Sequence, residues 1–200
     1  MTDTHLPNRQ SLRRAASRLV ALVAGISVTL VGCSHPGAPV LPTLSATLAP
    51  ADMTHDQLLD LAIDQYRHLF DILSDVEFKG GASILPSSTF QYLTDPAWSV
   101  INQSYIDMHV SGVRYASSAQ ASITAVAEWI DGEAPDDTLI AVQACELTVN
   151  ATKTLPDGSI LHDGSSVLMH REGYFKTDPR DGKLKIFILN GEPQATCPIQ

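Results

Sequence analysis

The 200-residue chain is short of basic side chains, of cysteine and of long apolar runs, and each shortage removes a class of protein. Thirteen Lys and Arg stand against 22 Asp and Glu, a formal net charge of −9. Such a surface repels nucleic acid phosphates and gains nothing from anionic lipid headgroups, so nucleic acid is not expected as a partner. The apolar stretch Leu19 to Leu30 is twelve residues, short of the roughly twenty that cross a bilayer. Two of the three cysteines, Cys145 and Cys197, stand alone with no histidine near them, which gives no metal-ligand spacing, and no metal or cofactor is expected. There is no nucleophile elbow, no phosphate-cradling glycine loop, no histidine pair at helical spacing and no dinucleotide fingerprint. No internal repeat is visible either. The sequence thus names no catalytic activity, and an enzyme is not the expected reading.

What is present begins at the N-terminus. Arg9, Arg13, Arg14 and Arg18 precede the apolar stretch, and a positive flank on the cytoplasmic side orients such a segment. Its length suits the roughly seven to fifteen residues of a signal-peptide core. The stretch closes on Leu30-Val31-Gly32-Cys33, which resembles the lipobox of bacterial lipoproteins. That resemblance implies removal of residues 1–32 as a signal peptide and a diacylglycerol on the Cys33 thiol, the first residue of the mature chain. One acyl chain binds membranes only marginally and two hold well, so the membrane is a partner through Cys33. The implied location is the cell membrane, lipid-anchored on its extracytoplasmic face. Arg13-Arg14 resembles a twin-arginine signal, but Ala15-Ala16-Ser17 lacks the hydrophobic pair that usually follows, and ordinary secretion is expected. Cleavage leaves nine basic side chains against 21 acidic ones, a net charge of −12.

Residues 33–53, with Pro36, Pro39, Pro42 and Pro50 and little charge, read as a proline-rich tether. Residues 54–200 have the size of one globular domain. Thr54 and Gln57 form a capping-box pattern. Leu59, Ile63, Tyr66, Phe70 and Leu73 then mark one apolar face of a helix that Gly80-Gly81 ends. An irregular segment with Pro86 and Pro96 follows, holding Phe90, Tyr92 and Trp98. These rings either plug the core or line a ligand mouth. Period-two alternation is read at Tyr105–Val110, and again over Ala119–Ile130, Thr138–Thr152, Val167–Lys176 and Lys183–Leu189. Ser111-Gly112 reads as a bulge or bend after the first of these runs. Pro156-Asp157-Gly158 and Asp181-Gly182 are turn signals for antiparallel hairpins. The expected fold is α+β, one long N-terminal helix packed on a curved antiparallel sheet of about five strands.

A leading helix, an aromatic segment and a meander of long strands resemble the cone-shaped fold of nuclear transport factor-like proteins, as found in actinobacterial lipoproteins. The family holds isomerase-like enzymes, small-molecule binders and assembly domains, so the resemblance implies a choice of functions. With Cys33 taken by lipid, Cys145 and Cys197 are an even pair outside the cytoplasm, most simply a disulfide, the alternative being two buried thiols. A pocket in such a cone would draw on Tyr66, Tyr92, Trp98, Asp107, His109 and Trp129. Tyr105, Asp107 and His109 share a face of the expected strand, where they could supply acid, base and hydroxyl or simply coat an exposed sheet. His162-Asp163 reads as a solvated loop and His170-Arg171-Glu172 as the wet face of a strand. Three functions follow: a non-catalytic interaction or accessory domain in the cell envelope with a protein partner, a binding module for a small apolar ligand, and an isomerase-like enzyme using Asp107 or His109 as base.

Overall fold

A computed structural model of the chain describes residues 48–130 and 132–199. The lipobox, Cys33 and most of the expected tether lie outside the described residues. The helix foreseen from Thr54 forms as α1, His55–Phe78. The Thr54 hydroxyl accepts from the Gln57 amide N–H at 3.3 Å, while Gln57 Oε1 accepts from the Thr54 N–H at 2.9 Å. Two of the N–H groups that a helix start leaves without partners are thereby satisfied. The folded part begins slightly earlier, since Pro50 is buried in a single 3-10 turn and Met53 packs on the core. The deepest line of α1 is Leu58, Ala62, Tyr66, Leu69 and Val76, with Leu59, Ile63, Phe70 and Leu73 half-buried beside it.

The run expected as a first strand is instead the second half of a helix, α2, Ala97–Ser111. Ile106, Met108 and Val110 satisfy a period of two, but Trp98, Ile101, Tyr105 and Met108 satisfy a period of three to four over a longer span. Pro96 stands at the N-cap, and Gly112, in the left-handed region at φ 70°, closes the C-terminus. Ser111-Gly112 is thus a helix end and not a strand bulge. The two helices approach closely at Gly81, where an added Cβ would lie 2.3 Å from the Tyr105 carbonyl oxygen.

The expected single sheet of about five strands is replaced by two antiparallel sheets of seven strands in all. The larger is a meander of β2 (Gln120–Glu128), β3 (Ile140–Val149), β6 (Val167–Thr177) and β7 (Leu184–Gln194) in that order. These are the four remaining runs of the sequence reading. The smaller sheet orders β1 (Arg114–Tyr115), β4 (Lys153–Thr154) and β5 (Ile160–His162). Strands of two or three residues are too short to show any period, so the sequence could not announce them. The foreseen turns hold: Pro156-Asp157-Gly158 joins β4 to β5 and Asp181-Gly182 joins β6 to β7.

The inner face of the larger sheet carries Ile140, Val142 and Ala144 of β3, Phe175 of β6, and Leu184 and Ile186 of β7, all packed with Leu58, Ala62, Tyr66 and Leu69 of α1. Phe175 pairs with Ile186 and Tyr174 with Ile188, so Phe187 is an extra residue in β7. Phe187 faces outward by alternation and the bulge turns Ile188 outward beside it, where both join Ala141, Tyr174 and Trp129 in a second cluster. Also on the outer face, Cys145 is joined to Cys197 in a disulfide that pins the C-terminal tail to β3. The β6–β7 turn is clasped by fully buried Asp178, which takes Lys185 Nζ at 2.9 Å and Arg180 Nη2 at 2.8 Å. Arg180 also donates to the Thr94 hydroxyl, tying the turn to the segment before α2. Among the described residues no helix is long and apolar enough to cross a membrane.

Candidate functional site

Alternation along β3 continues past the core: Ile140, Val142 and Ala144 point inward, and so do Glu146 and Thr148. On β6 the same face carries Val167, Met169, Arg171 and Gly173, paired across from these positions. Here α1 no longer fills the space beneath the sheet. A cleft of about 480 Å³ remains between the C-terminal half of α1, α2, the inner sheet face and the small sheet. Its walls are largely apolar, with Phe70 and Leu73 from α1, Ile101 and Met108 from α2, and Val167, Met169 and Leu189 from the sheet.

Two polar clusters border it. In the first, the Tyr66 hydroxyl donates to Glu146 Oε1 at 2.6 Å, and Arg171 Nε donates to Oε2 at 3.1 Å. In the second, the Tyr115 hydroxyl donates to Glu77 Oε1 at 2.8 Å. Lys153 Nζ stands 3.6 Å from the same oxygen and 4.4 Å above the Tyr115 ring. Tyr105, from α2, lines the cleft in the electrostatic field of both clusters. Burial, with Glu77 adding to it, raises the Tyr105 phenol well above its ordinary range, and the same two causes raise Tyr115. Burial and then Glu146 raise Tyr66. All three phenols are therefore held protonated, which makes them hydrogen-bonding anchors and not bases. Burial opposes the charge of Arg171, but Glu146 outweighs it and holds the guanidinium firmly protonated.

The residues named from the sequence are not gathered around this cleft. Tyr66 reaches it only through Glu146. Tyr92 stacks on His68, 6.0 Å between centroids, and Trp98 on Phe90 at 4.8 Å. Trp98 and Tyr92 are half-buried against the core and so belong with the plug reading. Trp129 lies against Tyr174 in the outer cluster, on the opposite face of the sheet. Asp107 and His109 are exposed on α2, where Asp107 accepts from Gln103 one turn back. Helical geometry, in place of the expected strand, separates Tyr105 from Asp107 by about half a turn of the helix, and only Tyr105 lines the cleft. His162 is a strand residue that lines the cleft, not a solvated loop. His170 is buried and contacts Gln143 at 3.2 Å, while Arg171 faces inward. Neither fits the wet-face reading, because His170 is buried on the outer face and Arg171 stands on the inner face at the cleft.

Glu77, Glu146, Lys153 and Arg171 were missed as site residues. For two of them a signal existed, since Glu146 and Arg171 fall on the apolar register of their strands. Among the described residues no cluster of three or more His, Cys, Asp or Glu could hold a metal ion. The chain is thus an α+β domain with two helices over an antiparallel sheet and a half-open cleft at one end. No family model matches it, and a search of curated proteins finds no match.

Proposed function

We propose that this chain is an extracytoplasmic lipoprotein, tethered to the cell membrane through a diacylglycerol on Cys33, whose folded domain holds a small, largely apolar molecule without catalysing its conversion. The observation that carries the ligand reading is the cleft: about 480 Å³, within the roughly 300–1,000 Å³ of small-molecule sites, apolar in its walls and with a few convergent polar groups. Asp107 and His109, the bases expected from the sequence, stand outside the cleft, and the carboxylates that border it, Glu77 and Glu146, are each taken by a tyrosine hydroxyl, which favours binding over catalysis. What supports the resemblance to nuclear transport factor-like lipoproteins is the coarse order of elements, helices first and an antiparallel meander after them, and function does not follow from such a fold.

A second reading, an accessory domain that docks on an envelope protein, is favoured by Ile160 and Leu161. Both are more than half exposed on β5, an edge strand. Metabolic labelling with a clickable fatty acid tests the anchor: the chain takes up label and Cys33→Ala does not. Native mass spectrometry of the chain released from its membrane tests the cleft. A retained small molecule that disappears in Ser104→Trp, a side chain placed to fill the cleft, supports the ligand reading. Retention unchanged by that substitution sends the search to the protein partner.

A further inference from the structure

We propose that the cleft selects an uncharged ligand, an apolar body bearing one acceptor oxygen of the amide, ester or ketone type, received by the Tyr105 hydroxyl and the free N–H groups of Arg171. This inference rests on the reading of the cleft as a ligand site. Two carboxylates, Glu77 and Glu146, and two cations, Lys153 and Arg171, border the space, so its fixed charges already cancel. Each carboxylate is paired within its own cluster. A ligand carboxylate would meet the charge of Glu146 and Glu77 as well as that of Arg171, and a ligand ammonium would meet Arg171 and Lys153 as well as the carboxylates. Either would lose solvation that the cleft does not restore.

Some of the donors that border the cleft are uncommitted. Tyr105 is half-buried, and its hydroxyl makes no hydrogen bond among the described residues. Arg171 spends only Nε on Glu146, which leaves both Nη groups as donors without partners there. The guanidinium is held in place from below, because Arg171 lies across Gly191 of β7. A Cβ at that position would come within 2.3 Å of Nη1. Uncommitted donors therefore meet apolar walls, and a neutral acceptor satisfies the donors without adding charge.

Methyl-¹³C methionine spectra of the purified chain provide the test, since Met108 and Met169 line the cleft and Met53 packs on the core near the start of α1. The probes are octanamide, octanoate and octylammonium, which share a chain length and differ in head charge at pH 7. Octanamide is expected to shift the Met108 and Met169 signals, to leave Met53 in place, and to bind at least about tenfold more tightly than either ion. Tyr105→Phe is expected to weaken octanamide about fivefold, with the unliganded spectrum preserved. Arg171→Lys, which keeps the charge opposite Glu146, is expected to do the same. Should none of the three probes move Met108 or Met169, the ligand reading of the cleft falls and this inference with it. Should either ion bind as tightly as octanamide, or both variants bind octanamide like the parent chain, the neutral-acceptor inference alone is overturned.

Discussion

Phenylalanine in place of Tyr66 removes one hydroxyl from the centre of the core and leaves the ring in place. That hydroxyl donates at 2.6 Å to Glu146, in a side chain only 2% exposed. Hydrogen bonds to a charged partner contribute roughly 1.5–3 kcal/mol. The lower part of this range applies, because Glu146 keeps its second partner, Arg171 Nε at 3.1 Å, and is not left bare. The expected loss is about 2 kcal/mol, which at a slope near 2 kcal/mol per molar urea lowers the unfolding midpoint by about 1 M. In a thermal melt it corresponds to roughly 4–8 °C for a domain of this size. Glu146→Gln keeps an acceptor for Tyr66 but loses the charge opposite Arg171, which is one-third exposed. Solvent screening limits that loss to about 1 kcal/mol. The double-mutant cycle in urea should then show a coupling of about 1 kcal/mol between the two positions. A Tyr66→Phe loss under about 0.5 kcal/mol, or a coupling indistinguishable from zero, refutes the claim that this bond anchors α1 to the sheet.

The Cys145–Cys197 disulfide closes a loop of 52 residues, and the chain-entropy relation gives about 4 kcal/mol for its removal. Intact mass should rise by two hydrogens on reduction, and urea unfolding of Cys197→Ser should show a loss of that order. Asp178 is held well below the usual carboxylate range, first by its hydrogen bond from Arg180 and then by Lys185, against the opposing effect of burial. Because the folded value is the lower one, this contribution is complete above the unfolded value near pH 4 and is lost as pH falls toward the folded value. Stability followed from pH 6 to pH 2 should drop at the acid end, and Asp178→Asn should flatten that drop. Gly81→Ala should cost more than about 3 kcal/mol, since it combines a φ of 80° with a 2.3 Å approach to the backbone of α2. Gly158→Ala, at φ 82° with nothing within 4 Å, should cost only about 1 kcal/mol, and parallel urea curves of the two variants check the contrast.

Elements that announce themselves by long, single-period patterns were legible. The capping box of α1 and the four long strands appear where hydrophobic spacing and turn residues put them. The run from Tyr105 to Val110 misled because six residues are too few to separate a period of two from one of 3.6. Pro96 and Gly112, read as loop and bend signals, were the start and stop of a helix. The small sheet was invisible for a related reason. Its turn at Pro156-Asp157-Gly158 was legible, but strands of two or three residues show no period, and the pairing of Arg114 with Thr154 joins segments far apart in sequence and leaves no local trace.

The candidate site was harder to read because sequence reasoning looked for aromatic and catalytic residue types, while the cleft is built from register. Glu146 follows Ile140, Val142 and Ala144 at steps of two, and Arg171 follows Val167 and Met169 in the same way. A charged residue on the apolar register of a strand must either unbalance the core or find a partner of opposite charge on the neighbouring inner face. Here the two belong to adjacent strands, Glu146 opposite Met169 and Arg171 two residues beyond, and they meet at 3.1 Å. The space they border stays open because α1, its core side already committed to Tyr66 and Leu69, carries Ser74 and Glu77 over this end of the sheet. The change from apolar to charged residues on the inner registers of β3 and β6, and on the facing side of α1, is therefore the cause of the cleft as well as its chemistry.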